Sequence, residues 1–257
     1  MTEALALARR WVVDYFNRQD SAAARAFCAP DYTLCIGDVV LAGRDDAWLP
    51  AVEVQMRNFP GMGMTVHQTL AGDDWAAVWF SEHGASKGKA AVWSGVGIYR
   101  SDGAVLTGCV AQEDYFTRRR QLKSGVCDPV DRPAPAPWDT EKLPSNPEAE
   151  TTVLGWLNES WPLPGDIPCD DDHITGVPLE FEVTGAEVGA LHSSGDHVAF
   201  NLRQRGHYLR GLPEVADGPT EETLDVNGLV RVVDGRVVSG RVIRDRMGLW
   251  SRLRAAA

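Results

Sequence analysis

Cysteine is sparse in this 257-residue chain: Cys28, Cys35, Cys109, Cys127 and Cys169 make an odd number with no C-x-x-C pair. That count argues against a disulfide framework or a thiolate zinc site, and leaves buried reduced thiols as the reading. Long apolar runs are missing too, since charges interrupt them within roughly 10 residues, so no membrane span is expected. The opening MTEALALARRW has the spacing of an amphipathic helix and lacks the pattern of a secretory leader. A soluble, cytoplasmic protein is therefore expected. Gly-rich phosphate loops, a Gly-x-Ser-x-Gly elbow and dinucleotide fingerprints are all absent, which argues against nucleotide, flavin and serine-hydrolase chemistry and for no cofactor. Lysine is absent from residues 148–257, where 10 arginines face 18 acids, while residues 1–122 hold 12 basic against 14 acidic groups. With a net charge of −11 the chain repels nucleic acid and anionic membrane, and neither is expected as a partner.

What is present divides the chain. Residues 123–147 carry six of the 15 prolines, a density that favours extended chain over helix or sheet and reads as a semi-rigid linker. The flanking halves, 1–122 and 148–257, follow one plan. Each opens on a helical pattern, Leu5, Ala8, Trp11, Val12, Tyr15 and Phe16 in the first and Val153, Trp156 and Leu157 in the second. Each continues into alternating strands with an Asp-Gly hairpin turn, at Asp102-Gly103 and at Asp234-Gly235. Two copies of one unit are the simplest account. The copies are unequal: Asp20 to Pro60 fits a helix (Ser21 to Phe27), a strand (Tyr32 to Ile36) and a further helix from Arg44, whereas Trp161 to Gly176 holds only a short segment rich in Pro and Asp. Chemistry is expected in the first half.

Tyr15-Phe16-Asn17-Arg18-Gln19-Asp20, Ala29-Pro30-Asp31-Tyr32, Gly43-Arg44 and Gln112-Glu113-Asp114-Tyr115-Phe116, in that order, resemble the nuclear transport factor 2-like superfamily, nearest its SnoaL-like polyketide cyclases and limonene-epoxide-hydrolase-like members. Gly195 to Phe200, Arg205-Gly206-His207 and Arg244-Asp245 extend the resemblance to the second half. It implies an α+β fold: two cone-shaped, curved antiparallel sheets with helices across their mouths, in tandem as an intramolecular pseudo-dimer packed sheet to sheet, with room for further homo-oligomerisation. It also implies an apolar pocket in which carboxylates, His or Tyr act as acids and bases on a small molecule. Such folds serve many chemistries, so the residues must decide.

Ala76, Val78 and Phe80 alternate onto one strand face with Glu82, a carboxylate that either ends an apolar stripe in the cup or meets solvent at the strand's end. Asp114 follows Val110 and Gln112 on the last long strand, where the resemblance places a catalytic aspartate; its other reading is an ion pair with Arg118. Asp38, after Ile36-Gly37, stands where the resemblance puts a general base, although an Asp in such a turn also serves the turn. His67 shares a face with Thr65 and Thr69 and is a candidate partner for a carboxylate. Tyr15 and Tyr32 are candidate phenol donors, and Phe80, Trp93 and Gln112 complete the expected substrate contacts.

Other features read as bland. Cys169 to His173 mixes metal-ligand types, but five consecutive loop residues cannot converge on one ion, so no metal is expected. Arg118-Arg119-Arg120 reads as a solvated face, and the nine tryptophans as packing. The Asp-Arg-Asp relay of limonene-epoxide hydrolases is missing, its paired positions reading His83 and Ala85 in one copy and Arg205 and His207 in the other. The leading expectation is a cofactor-free SnoaL-like cyclase or isomerase acting on an apolar cyclic or polyketide-like molecule. A two-carboxylate epoxide hydrolase or cyclase, and a non-catalytic binding or assembly protein with filled cups, stand beside it. The second copy is expected to be structural, with no closed pocket around Asp245.

Overall fold

The computed structural model describes residues 1–158, 167, 170 and 178–256. Helix α1 (Glu3–Arg10) starts at Thr2, whose hydroxyl accepts the Leu5 N–H, and runs on as a wider π-helical turn over Trp11–Phe16. Asp20 caps the short α2 (Ser21–Ala24). Strand β1 (Cys28–Ile36) pairs antiparallel with β2 (Val39–Ala42), and a π-helical turn at Arg44–Trp48 leads into α3 (Leu49–Asn58). Four long strands follow: β3 (Gly63–Ala71), β4 (Trp75–Ser86), β5 (Lys89–Ser101) and β6 (Leu106–Glu113). They form one sheet in the order β2-β1-β6-β5-β4-β3, in which β1 and β6 run parallel. Asp114 caps α4 (Tyr115–Ser124), which ends at Gly125 in the left-handed region.

The second unit begins with α5 (Pro147–Leu157), capped by Asn146 with Pro147 in its first turn. Strands β7 (Glu180–Ser194), β8 (His197–Arg210), β9 (Thr220–Val233) and β10 (Arg236–Arg244) form an antiparallel sheet in the order β10-β9-β8-β7, and α6 (Arg246–Ala256) closes the chain. At the β9–β10 turn Asp234 and Gly235 both have positive φ, 49° and 70°, as a two-residue hairpin of matching twist requires. Most of Trp161 to Gly176 lies outside the described residues, including the Cys169 to His173 run except Asp170.

The two sheets pack face to face. Leu70, Trp75, Ala77, Val96 and Ile98 of the first join Ala199, Leu229 and Ile243 of the second in one buried cluster. Trp75 stacks on His192 at 4.8 Å, and the Asn227 amide donates to the Val96 and Val110 carbonyls at 3.0 and 3.2 Å. Sheet packing, with apolar side chains from both inner faces, thus joins the copies. A buried ionic chain reinforces it: Arg246 bonds both oxygens of Asp114 at 2.6 and 2.7 Å and lies 3.3 Å from Asp170, which holds Arg244 at 2.6 Å.

Residues 125–146 form neither helix nor strand and run along the free edge of β3. Ala134 N–H donates to Val66 O at 3.0 Å, and Gly195 N–H to Pro144 O at 2.9 Å, so the segment touches both units. Covering a sheet edge with proline-rich chain removes a template for unwanted pairing. His67 fastens it: Nδ1–H donates to the Arg132 carbonyl at 2.9 Å, and Nε2 accepts from the Ser81 hydroxyl at 2.8 Å. Burial pushes the His67 imidazole below its ordinary value, and burial does the same to His83 and His192. The unfolded chain then binds more protons than the folded one as pH falls through about 6.5, so stability is full above that value and lost below it. Thermal midpoints should fall from pH 7 to pH 5, and His67→Gln should flatten that slope; an unchanged slope would show that His67 does not contribute.

Candidate active site

The concave face of the first sheet carries Ala76, Val78 and Phe80 of β4, Trp93 and Tyr99 of β5, and Cys109 and Ala111 of β6, all in one apolar cluster with α1 and the turn after it. Glu82 and Glu113 end this face on the two strands that flank β5. In register, Glu82 stands opposite Trp93, and Gly95 lies between Phe80 and Glu113. A Cβ at Gly95 would come within 2.4 Å of the Phe80 ring and 3.1 Å of Glu113 Cγ. Gly95→Ala should therefore destabilise by about 1–3 kcal/mol through overpacking, measurable by denaturant unfolding; a neutral effect would mean that the ring and Glu113 yield freely.

Glu82 and Glu113 are buried, at 2% and 7% exposure, and hydrogen-bond to each other. The Trp93 indole N–H donates to Glu113 Oε2 at 3.0 Å, and the Gln55 amide donates to Glu82 Oε2 at 3.3 Å. Desolvation first, then repulsion from Glu113, hold the Glu82 carboxyl well above the usual carboxylate range. These terms favour the protonated form of Glu82, against the opposing pull of the Arg118 guanidinium. Burial likewise raises the Tyr115 phenol.

Both carboxyls open onto a cavity of about 360 Å³. Its walls include Trp11, Phe16, Leu34 and Tyr115 of the first unit. Asp245, Met247, Gly248 and Ser251 of the second unit also line it. Asp245 therefore does not stand in a pocket of its own copy. It caps α6 through Gly248 N–H at 2.9 Å, as Asp114 caps α4, and desolvation raises its carboxyl. In the second copy Arg244 ends its strand where Glu113 ends β6, and it is fully buried against Asp170 and the Leu179 carbonyl.

The expected site residues divide. Glu82 and Trp93 meet at the carboxyl pair, and Phe80 lies in the core beneath it. Asp38 reaches only the cavity's rim, exposed and held by Arg203 at 2.8 Å and Arg252 at 2.6 Å. Its carboxylate also lies near those of Asp225 and Asp245, and Arg203 bridges Asp38 to Asp225. Tyr15 and Tyr32 are buried in a ring cluster, 5.1 and 4.5 Å from Trp48, and neither lines the cavity. Burial raises both phenols. His67, Gln112 and Asp114 point away from the cup: His67 holds the linker, Gln112 is buried off the concave face, and Asp114 is committed to Arg246 and Thr117 rather than Arg118. Glu113 is the residue that the sequence reading missed. The last strand's concave face is Cys109, Ala111, Glu113, one residue out of step with the face of Val110, Gln112 and Asp114, and a one-residue step inverts every side chain.

Residues 8–106 match the family model for the SnoaL-like domain. No curated protein matches the sequence. Among solved structures, IdmH from Streptomyces antibioticus is 19% identical with a TM-score of 0.42, over 48% of this chain and 99% of that one. A protein from Shewanella denitrificans assigned as a SnoaL-like polyketide cyclase is 15% identical at TM-score 0.43, over 46% and 96%. A limonene-epoxide-hydrolase-like epoxide hydrolase from M. tuberculosis is 14% identical at TM-score 0.42, over 48% and 92%. No helix among the described residues is long and apolar enough to cross a membrane.

Proposed function

Taking the first unit as a SnoaL-like domain, we propose that its cup catalyses cofactor-free proton transfer on an apolar cyclic carbonyl compound, the chemistry of a cyclase or isomerase. The observation that carries this reading is the buried, hydrogen-bonded pair Glu82 and Glu113 on the wall of an otherwise apolar cavity. Glu113, receiving the Trp93 indole N–H, is the base that takes a proton from carbon beside the carbonyl. Glu82, kept protonated by burial, is the acid that gives its proton to the carbonyl oxygen as charge develops there. Reversing the two transfers at another carbon isomerises the substrate; attack of the enol carbon on an internal carbonyl cyclises it, the enol proton returning to Glu82 and the proton on Glu113 passing to the new alkoxide.

The 360 Å³ cavity argues against a cup filled by its own side chains, the premise of the binding-protein reading. Epoxide opening with Asp38 as one of two carboxylates loses support from the two arginines that hold Asp38 at the rim. The direct test is deuterium uptake beside the carbonyl of 1-tetralone in D₂O, followed by NMR. The protein should accelerate uptake over buffer; exchange at the buffer rate would refute the reading.

A further inference from the structure

Helix α4 carries three consecutive arginines, and the first of them is turned toward the carboxyl pair. Asp114, one helical turn earlier, is the carboxylate that the sequence offers to Arg118, but Arg246 of the second unit has taken it. Arg118 therefore forms no ion pair among the described residues. Its guanidinium is stacked among three rings instead: Cζ lies 4.1 Å from the centre of the Tyr115 ring, 5.0 Å from that of Trp93 and 5.2 Å from that of Phe59. Nη1 is buried and has no hydrogen-bond partner among the described residues. Arg119 and Arg120 are engaged elsewhere, on Trp250 and Asp128. Two of the three rings belong to the site, since Trp93 turns its N–H to Glu113 and Tyr115 lines the cavity. One indole thus meets the cation with its face and the carboxyl with its edge.

We infer that Arg118 is the positioning residue of the carboxyl pair: caged by aromatic faces, its guanidinium supplies the countercharge for the single negative charge that the pair carries. This rests on the acid–base reading of the first cup. A lone anion in an apolar cavity is unfavourable, and without a cation nearby the preferred state would be two protonated carboxyls with no base between them. A direct ion pair would be no better, because a guanidinium bonded to Glu113 would occupy the oxygens that must reach substrate. Ring faces hold a cation without neutralising it, and its field reaches the pair through surroundings that screen poorly. Arg118 acts in this sense on Glu82 and on Tyr115, drawing each toward its ionised form. The other groups facing the pair bring no positive charge. Tyr99 of β5 and Tyr15 of the turn after α1 are phenols that burial holds neutral, and Gln55 of α3 is an amide. Asp38 and Asp245 in the cavity wall are acids, with Arg203 and Arg252 held on Asp38.

Carbon-13 titration of the glutamate carboxyls tests this on the full chain without substrate. The signals of the pair are assigned by their loss in Glu82→Gln and Glu113→Gln. Arg118→Met keeps a long apolar side chain among the rings and removes the charge, so both titration steps of the pair should move to higher pH, the lower one by about 1 pH unit. Arg118→Lys keeps the charge and gives up the planar stack, and should move the steps less than half as far. The acid limb of deuterium uptake by 1-tetralone should follow the lower step in each variant. A packing role gives the reverse pattern, with the methionine variant like the parent, the lysine variant impaired and neither limb displaced. If Arg118→Met does not fold, Arg118→Gln is the neutral variant read in its place. Unshifted steps in the neutral variant, a lysine variant shifted as far as the neutral one, or unfolding of both neutral variants would each overturn the assignment. Failure of the carboxyl-pair reading is separately visible in the unaltered protein, as glutamates that all titrate near the ordinary value or as uptake at the buffer rate.

Discussion

Glu113→Gln should reduce deuterium uptake by 1-tetralone at least about 100-fold, the usual contribution of a positioned general base. An amide keeps the shape and can still receive the Trp93 indole N–H, so the loss reports the missing base and not a rearranged wall. Glu82→Gln should fall less steeply. Its amide still donates toward Glu113 but offers no acidic proton to the carbonyl oxygen, and the loss should grow with the basicity of the oxyanion formed. Neither variant should unfold the domain, because each replaces a shared proton by an ordinary amide-to-carboxylate bond. If both variants exchange within 3-fold of the parent, the pair is structural and the proposal falls. The intact pair should stay active across neutral pH and lose activity at alkaline pH, as Glu82 gives up the proton that burial holds on it.

Asp114→Asn should produce the opposite pattern, a large loss of stability with deuterium uptake within a few-fold once the protein is folded. Asp114 and Arg246 are each 3% exposed and belong to different units. Removing the Asp114 charge leaves the buried Arg246 to share Asp170 with Arg244, so the loss should approach, without exceeding, the roughly 3–5 kcal/mol of a broken buried pair. For a chain of this size that lowers the thermal midpoint by roughly 10 °C. The asparagine can still cap α4, so the missing charge dominates. Adding Arg246→Met should recover part of the loss, because Asp170 keeps its partner in Arg244. A midpoint unchanged by Asp114→Asn would show that sheet packing alone joins the units.

The order of elements was readable in the sequence because local signals agree: the Asp-Gly turns and the 3.6-residue period of the first helix. Two regular features were not. Strand β2 is four residues of Val39–Ala42, and its exposed valines carry no alternation of burial. Helix α1 widens at Trp11–Phe16, a change of pitch that leaves the apolar spacing nearly untouched. Glu82 could be assigned to the cup because Ala76, Val78 and Phe80 lead to it at every second position of β4, on a face that ends in a charge. Glu113 could not, because β5 and β6 are buried on both sides, by the cup and by the second sheet. A strand buried on both faces loses the alternation that tells inside from outside. Val110 and Gln112 then look as cup-like as Cys109 and Ala111, and Asp114 is chosen over Glu113. Asp245 was assigned to its own copy for a related reason. Reading each half as its own cup assigns every residue to its own copy, whereas the packed sheets bring α6 across the mouth of the other.

The central claim is that Glu82 and Glu113 share one proton at neutral pH, and ¹³C NMR titration of glutamate side-chain carboxyls tests it most directly. One signal, removed by Glu82→Gln, should remain in the protonated position through neutral pH, far above the ordinary glutamate value of about 4.3. If every glutamate carboxyl titrates near that ordinary value, the pair carries two charges and the acid–base assignment is contradicted.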